Sequence, residues 1–291
     1  MSPSGRAEGM ARLRRVIAQI EAEAGPAGER PARRLPFARS FDSALGGGLA
    51  DDALHEIVPA QPADGTAAMG FALALAGRFL SQRPASALVI SEGFAADESG
   101  ALYGPGLVAH GLPLSRLVFV RAPDAALAFW AIEEALKGGA PAVVVGEIWS
   151  LKGYSLVASR RLLLAARKGK TPALLILASA YGQAERLSSA AETRFEIAAA
   201  PSATIPAAAG PALPGPFACG ARLIKARFAR AGPEGPVQAF DPGRVIRLEW
   251  RSQDMTFKDM TFGGMGVDDQ AISLPLAAAS GDRSRAAARP R

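Results

Sequence analysis

Short, continuously apolar segments alternate along this chain with longer alanine- and leucine-rich runs, and that alternation restricts the architectures open to it. Leu54–Val58, Ala87–Ser91, Leu117–Val120, Ala142–Val145, Ala173–Ala178 and Arg194–Ala199 read as strands, with Ala67–Leu80, Ala125–Leu136 and Ser155–Lys168 as helices between them. A strand that is apolar at consecutive positions is covered on both faces, and a helix joining two such strands supplies the cover. The expected fold is α/β, a mainly parallel sheet with helices on both sides. Ligands of such sheets sit beyond the carboxyl ends of the strands, where Asp64, Glu92, Gly146 and Ser179 are expected to gather.

The segment from Phe41 to Leu80 sharpens this. It runs Phe41-Asp42-Ser43-Ala44-Leu45-Gly46-Gly47-Gly48-Leu49, then the strand His55-Glu56-Ile57-Val58, a turn Pro59 to Thr66, and a helix to Leu80. It resembles the start of a RecA-type ATPase core, where a Leu-Gly-Gly-Gly stretch precedes a Glu-Ile strand that feeds a G-x-x-x-x-G-K-[ST] phosphate loop. The resemblance implies a RecA-like P-loop NTPase core. Aligned on Glu56-Ile57, the loop glycines fall on Pro59 and Asp64, the lysine on Gly65 and the hydroxyl residue on Thr66, so only Thr66 is kept. Proline has no N–H to donate, Asp64 brings a negative charge to the triphosphate position, and Gly65 removes the neutralising ammonium. The loop is expected to repel ATP.

The magnesium position tells the same story. In RecA-like cores an aspartate follows the strand equivalent to Ala142–Val145, whereas here Gly146 stands there with Glu147 next. A step of one residue turns a side chain to the other sheet face, so Glu147 reads as a poor substitute. Glu92, at the region of the catalytic glutamate, reads as vestigial. The degenerate nucleotide site thus comprises Pro59, Asp64, Gly65, Thr66, Glu92, Gly146 and Glu147. No catalytic residue, metal site or cofactor is expected.

Composition limits the remaining classes. The 291 residues are 49% hydrophobic and 21% charged, ordinary for a globular protein and long enough for a sizeable core. No apolar run has membrane-span length, and the amino-terminal residues lack an apolar signal core, so a cytoplasmic protein is expected. One cysteine, Cys219, and two histidines, His55 and His110, exclude an internal disulfide and leave too few ligands for a zinc site. His55 reads as a packing residue at a strand start, and His110 as a structural or exposed residue in a glycine-flanked turn. Trp130 and Trp149 read as core or edge packing, with Trp149 an interface anchor if exposed.

The net charge of +6 is concentrated at the ends: residues 1–40 hold eight arginines and four glutamates, and residues 276–291 hold four arginines and Asp282. Basic ends can attract nucleic acid without sequence specificity, and equally keep solvated ends soluble. Four regions follow. Residues 1–36 carry an amphipathic helix, Met10 to Ala24, tethered by a linker; residues 37–200 are the core; residues 201–275 are a Pro/Ala linker and a small β appendage with strands near Ala221–Arg230 and Gly243–Arg251; residues 276–291 are a disordered basic tail.

Several further stretches are similar, in order and spacing, to the ImuA family, RecA-related proteins of damage-inducible mutagenesis operons. They are Tyr103-Gly104-Pro105-Gly106-Leu107 with Gly111-Leu112, Val120-Arg121-Ala122, Glu133-Glu134-Ala135-Leu136, Gly146-Glu147-Ile148-Trp149 and Ser159-Arg160-Arg161-Leu162-Leu163-Leu164-Ala165-Ala166. The resemblance spans about Arg12 to Pro201, with weaker similarity from Ala221 to Trp250. It implies an accessory protein of SOS-type translesion DNA repair that binds an inactive polymerase-like ImuB and an error-prone C-family polymerase, with RecA and DNA as further contacts. Arg160, Arg161, Lys168, Lys170 and Arg186 are the candidate DNA or partner contacts, although arginines on one helix are more often its solvated face. Two other readings stand beside it: a divergent ATPase that recruits a lysine such as Lys152 or one from a neighbouring subunit, and a division inhibitor of the SulA type, which shares the degraded core.

Overall fold

The structure is a computed structural model that describes residues 33–205, 213–227, 241 and 243–260. The expected amino-terminal helix, the far end of the strand drawn to Arg230 and the basic tail lie outside the described residues. The chain opens with a short strand β1 (Arg34–Leu35), a helical turn α1 (Arg39–Ala44) and β2 (Leu49–Ala50), which pairs antiparallel with β1. The three glycines between α1 and β2 all have positive φ, and a side chain at Gly48 would meet the Leu35 carbonyl oxygen at 2.1 Å. Only glycine allows that approach, which explains the Leu-Gly-Gly-Gly stretch as a packing device.

The core follows as β3 (Leu54–Pro59), α2 (Gly65–Leu80), β4 (Ala87–Glu92), α3 (Gly93–Ser99), α4 (Gly104–Ala109), β5 (Leu117–Ala122), α5 (Ala125–Gly138), β6 (Val143–Ile148), α6 (Leu156–Gly169), β7 (Ala173–Leu177) and β8 (Thr193–Ala199). A short pair, β9 (Thr204–Ile205) with β10 (Leu213–Pro214), leads to β11 (Ala218–Ala226), β12 (Val245–Arg251) and β13 (Thr256–Met260). Local sequence sets the helix ends: the Asp124 carboxylate accepts from Leu127 N–H at 2.9 Å, and the Ser155 hydroxyl accepts from Ala158 N–H at 3.2 Å. Both are N-caps that satisfy amides without a partner inside the helix.

One nine-stranded sheet runs β13-β12-β11-β8-β3-β7-β6-β4-β5. The pairs from β8 to β5 are parallel, and β11, β12 and β13 add antiparallel. The mainly parallel sheet with helices on both faces, expected of a RecA-like core, is therefore present. The β appendage expected after residue 200 is present as strands, but it does not stand apart. It extends the core sheet beyond β8, because β8 offers a free edge and β11 carries the apolar residues to bury there.

Side-chain parity divides the core into two layers. Ile57, Val143, Val145, Leu174, Ile176, Phe195 and Ile197 face α2, whereas Leu54, Val58, Val144, Ile148, Leu175 and Leu177 face α5 and α6. The α2 layer is closed from outside by α1, by β13 and by the turn after α4. His110 stacks on Trp250 with centroids 5.6 Å apart and its carbonyl accepts from the Trp250 indole N–H at 2.9 Å, so it is structural. Phe71 is the hub of this layer, with ring centroids 6.4 Å from Phe37, 5.4 Å from Phe195 and 5.3 Å from Phe257. Cys219 is buried and its thiol is pushed up to about 12, which leaves it inert at neutral pH. Replacing Phe71 by Ala is expected to cost about 3–5 kcal/mol, read as a lowered urea midpoint with β13 and α1 loosened together.

Candidate functional site

The nucleotide position lies where β3 hands over to α2. Pro59 is still in the ladder, opposite Ile197 of β8, and Ala60 N–H continues it by donating to the Ile197 carbonyl at 2.8 Å. The chain then makes a 3₁₀ turn, Pro62–Asp64, directly into Gly65. A phosphate cradle needs a wide loop of inward-pointing amides. This connection is short, and its first amide is committed to the sheet.

Asp64 turns inward instead of projecting over the helix end. It is 3% exposed, and its Oδ1 accepts from Ala199 N–H at 2.8 Å, tying the turn to the end of β8. Its Oδ2 is buried without a hydrogen-bond partner. Gly65 faces open space, since a Cβ at this position would have no neighbour within 4 Å, and Thr66 is exposed.

Glu92, expected as a vestige, has a structural task. Its Oε2 accepts from the Trp149 and Ser150 amides at 2.8 and 2.9 Å, and the Ser179 hydroxyl donates to the Trp149 carbonyl. Glu92 and Ser179 thus gather around one turn after β6, while Asp64 joins β8, so the expected group of four does not assemble. Trp149 is half-buried against Phe94, with centroids 5.2 Å apart, whereas Trp130 is 60% exposed and is not the packing residue expected.

Gly146 and Glu147 require a correction. Both lie inside β6, which runs to Ile148. A side chain at Gly146 would meet Ile132 Cδ1 at 2.5 Å and Leu175 Cδ1 at 3.0 Å, so this position faces α5 and an aspartate has no room there. Glu147 shares the face of Val145, which is the face of α2. It is therefore the carboxyl on the α2 side, buried and held by the Ser91 and Ser99 hydroxyls. Burial raises its pKa above the usual carboxylate range, and the two hydroxyls pull it back only in part. Among the described residues no group of three or more His, Cys, Asp or Glu forms a cation site.

A second cluster was not anticipated. Glu56 of β3 and Arg194 of β8 are register partners, both essentially unexposed, and Arg194 Nε donates to Glu56 Oε2 at 2.6 Å. Tyr154 OH donates to the other Glu56 oxygen, and burial together with the Glu56 charge keeps that phenol protonated. Arg194 also donates to the Ala184 and Leu187 carbonyls at 2.6 and 2.8 Å and to Ser189 Oγ at 2.9 Å. Lys225 Nζ adds a bond to the Ser189 carbonyl at 2.6 Å. The segment after β7, which carries the candidate contact Arg186, is thereby pinned to the sheet. Its sequence signal was opposite charges at matching places in two otherwise apolar strands.

The basic candidates do not converge on one point. Arg160 and Lys168 are exposed on α6, Arg161 binds Glu133 of α5 at 2.5 Å, Lys170 caps α6 in the left-handed region with φ 51°, and Arg186 is exposed on the pinned loop. His55 is fully buried between Thr193 Oγ1 at 2.9 Å and the Ala50 carbonyl at 2.8 Å, and burial lowers its pKa. No helix among the described residues is long and apolar enough to cross a membrane.

No family model and no curated protein matches the chain. Among solved structures it is similar to the RadB recombinase, at 18% identity and TM-score 0.47, covering 77% of this chain and 98% of that one. It is also similar to SulA from Pseudomonas aeruginosa, at 22% identity and TM-score 0.35, covering 43% of this chain and 96% of that one. At those values the fold class stands on the chain's own strand order and helix placement.

Two outcomes follow from the buried charges. Arg194→Met strands Glu56 without its partner and is expected to cost about 3–5 kcal/mol in a urea titration, while Glu56→Gln combined with Arg194→Met recovers part of that loss. Glu147 has a folded pKa above its unfolded one, so its contribution is fully present below about 4.5 and is lost as pH rises through the folded value. Glu147→Gln is expected to remove that decline, so that thermal melts of variant and parent converge in acid and diverge, with the variant more stable, toward pH 8.

Proposed function

We propose that the chain is a non-catalytic accessory protein of translesion mutagenesis, acting by binding an ImuB-like, polymerase-related protein that works with an error-prone C-family polymerase. The observation that carries this reading is the internal use made of the nucleotide position. Pro59 and Ala60 stay in the ladder with β8, Asp64 binds the Ala199 amide, and Glu92 binds the turn after β6. Groups placed to meet phosphate or attacking water in a working site are engaged here with the chain itself. Phosphoryl transfer depends on positioned cations and a positioned nucleophile, and this arrangement supplies neither at the loop. A RecA-like core so disposed has its surfaces left as its means of action, which agrees with the ImuA-like motifs.

Purified protein is expected to bind no labelled ATP and to release no phosphate above background. Steady hydrolysis that Thr66→Ala abolishes would establish the ATPase reading instead. In the source bacterium, deletion of the gene is expected to remove ultraviolet-induced mutation, with plasmid-borne gene restoring it. Unchanged mutation frequency together with filamentous cells on overproduction would place the protein in control of septation.

A further inference from the structure

The outer surface of α5 and α6 carries a side-chain pattern that neither the core nor the nucleotide position uses. The two helices lie side by side on the sheet face away from α2 and run in the same direction, since each follows one parallel strand and leads to another. On α6, Val157, Arg161, Leu164 and Lys168 fall at i, i+4, i+7 and i+11, a single stripe of the helix, with Arg160 beside it. Val157 is 70% exposed and Leu164 52%, and Trp130 on α5 is 60% exposed. Arg161 reaches across to Glu133 at 2.5 Å, and Phe129 stacks on Tyr154 just ahead of α6, with centroids 5.8 Å apart. Trp130 precedes Glu133 by about one turn on α5, and Glu133 meets Arg161, so Trp130 and the α6 stripe flank the same furrow between the helices.

The charge on this furrow has one sign to spare. Helix α6 has four basic residues and no acidic one. The acids of α5 that face it are matched: Glu133 by Lys137 at 2.9 Å and by Arg161, and Glu134 by Lys137 at 2.8 Å. Arg160 and Lys168 have no ion-pair partner among the described residues. We propose that the α5–α6 furrow docks an amphipathic helix of a partner protein, its apolar edge seated on Trp130, Val157 and Leu164 and its acidic flank on Arg160 and Lys168. A helix laid in a groove is read through anchors at this spacing, and exposed tryptophan is a frequent anchor. Nucleic acid fits less well. Val157 and Leu164 alternate with the cations along the stripe, where a phosphate backbone would need donors, and Arg161 is already engaged by Glu133. The surface is independent of whether the partner belongs to a mutagenesis complex.

The test uses the full chain and three fluorescein-labelled probes read by anisotropy: a short helical peptide with a leucine stripe flanked by glutamates, the same stripe flanked by lysines, and a single-stranded oligonucleotide. The glutamate peptide is expected to bind at least about tenfold more tightly than the lysine peptide, a difference of about 1.4 kcal/mol. Leu164→Glu and Arg160→Glu, both at exposed positions, are each expected to weaken it about tenfold while leaving circular dichroism and thermal midpoint unchanged. Equal affinity for both peptides, binding indifferent to Leu164→Glu, or no binding of either peptide overturns the proposal. So does preferential binding of the oligonucleotide with steep salt dependence, lost on Arg160→Glu but kept on Leu164→Glu.

Discussion

The buried ion pair between Glu56 and Arg194 organises the face of β3 and β8 opposite α2. Between β7 and β8 the chain supplies no further helix on the α6 side; it supplies the loop from Tyr181 to Ala191. A loop has backbone carbonyls that require donors once buried. Arg194 meets that need at Ala184 and Leu187, and Glu56 neutralises the guanidinium that does so. Desolvating two charges is costly on its own, and such a pair is tolerated where its remaining donors are all engaged. Tyr154 and Ser189 complete the set, so the loop, the start of α6 and two strands share one constraint.

That constraint bears on what the fold can do. The segment after β7 carries Arg186, one of the candidate DNA contacts. Here it is held from below by Arg194 and Lys225 and from the side by Ala190 N–H donating to Ser159 Oγ at 2.9 Å. With Arg186 as the lone basic residue in it, the loop offers DNA little charge and little movement.

Much of this architecture is legible in the sequence, because the consecutive apolar residues of β6 and β7 mark strands covered on both faces; β5, expected from the same pattern to be covered, lies at the sheet edge with Val118, Phe119 and Val120 exposed. Observed bounds lie within three residues of the expected ones in the core strands and helices. The parts that are not legible depend on partners distant along the chain. Strand β13 looks unremarkable as Thr256–Met260 until Phe257 is placed on Phe71 and Asp259 Oδ2 accepts from the Ser40 amide and hydroxyl. The faces of Gly146 and Glu147 escape a sequence reading for a related reason. Parity along β6 shows that the two point opposite ways, but it does not show which side carries α2, since residues on both sides are equally apolar. Trp130 reads as a packing residue because α5 is apolar around most of its circumference, so its outward stripe is visible only once Ile132 and Leu136 are seen in the core.

The turn from Pro59 to Thr66, which the sequence likens to a degenerate phosphate loop, has internal order of its own. A functional phosphate loop keeps its amides unpaired until ligand arrives, and so leaves polar groups in need of a partner at the mouth of the sheet. In this chain Ala60 N–H pairs with Ile197, the Ala199 amide with Asp64, and the Trp149 and Ser150 amides with Glu92. The carboxylates of Asp64 and Glu92 are the acceptors that tie this end of the sheet together. What this core presents outward includes the α5–α6 face, where Trp130, Val157 and Leu164 are exposed beside Arg160 and Lys168.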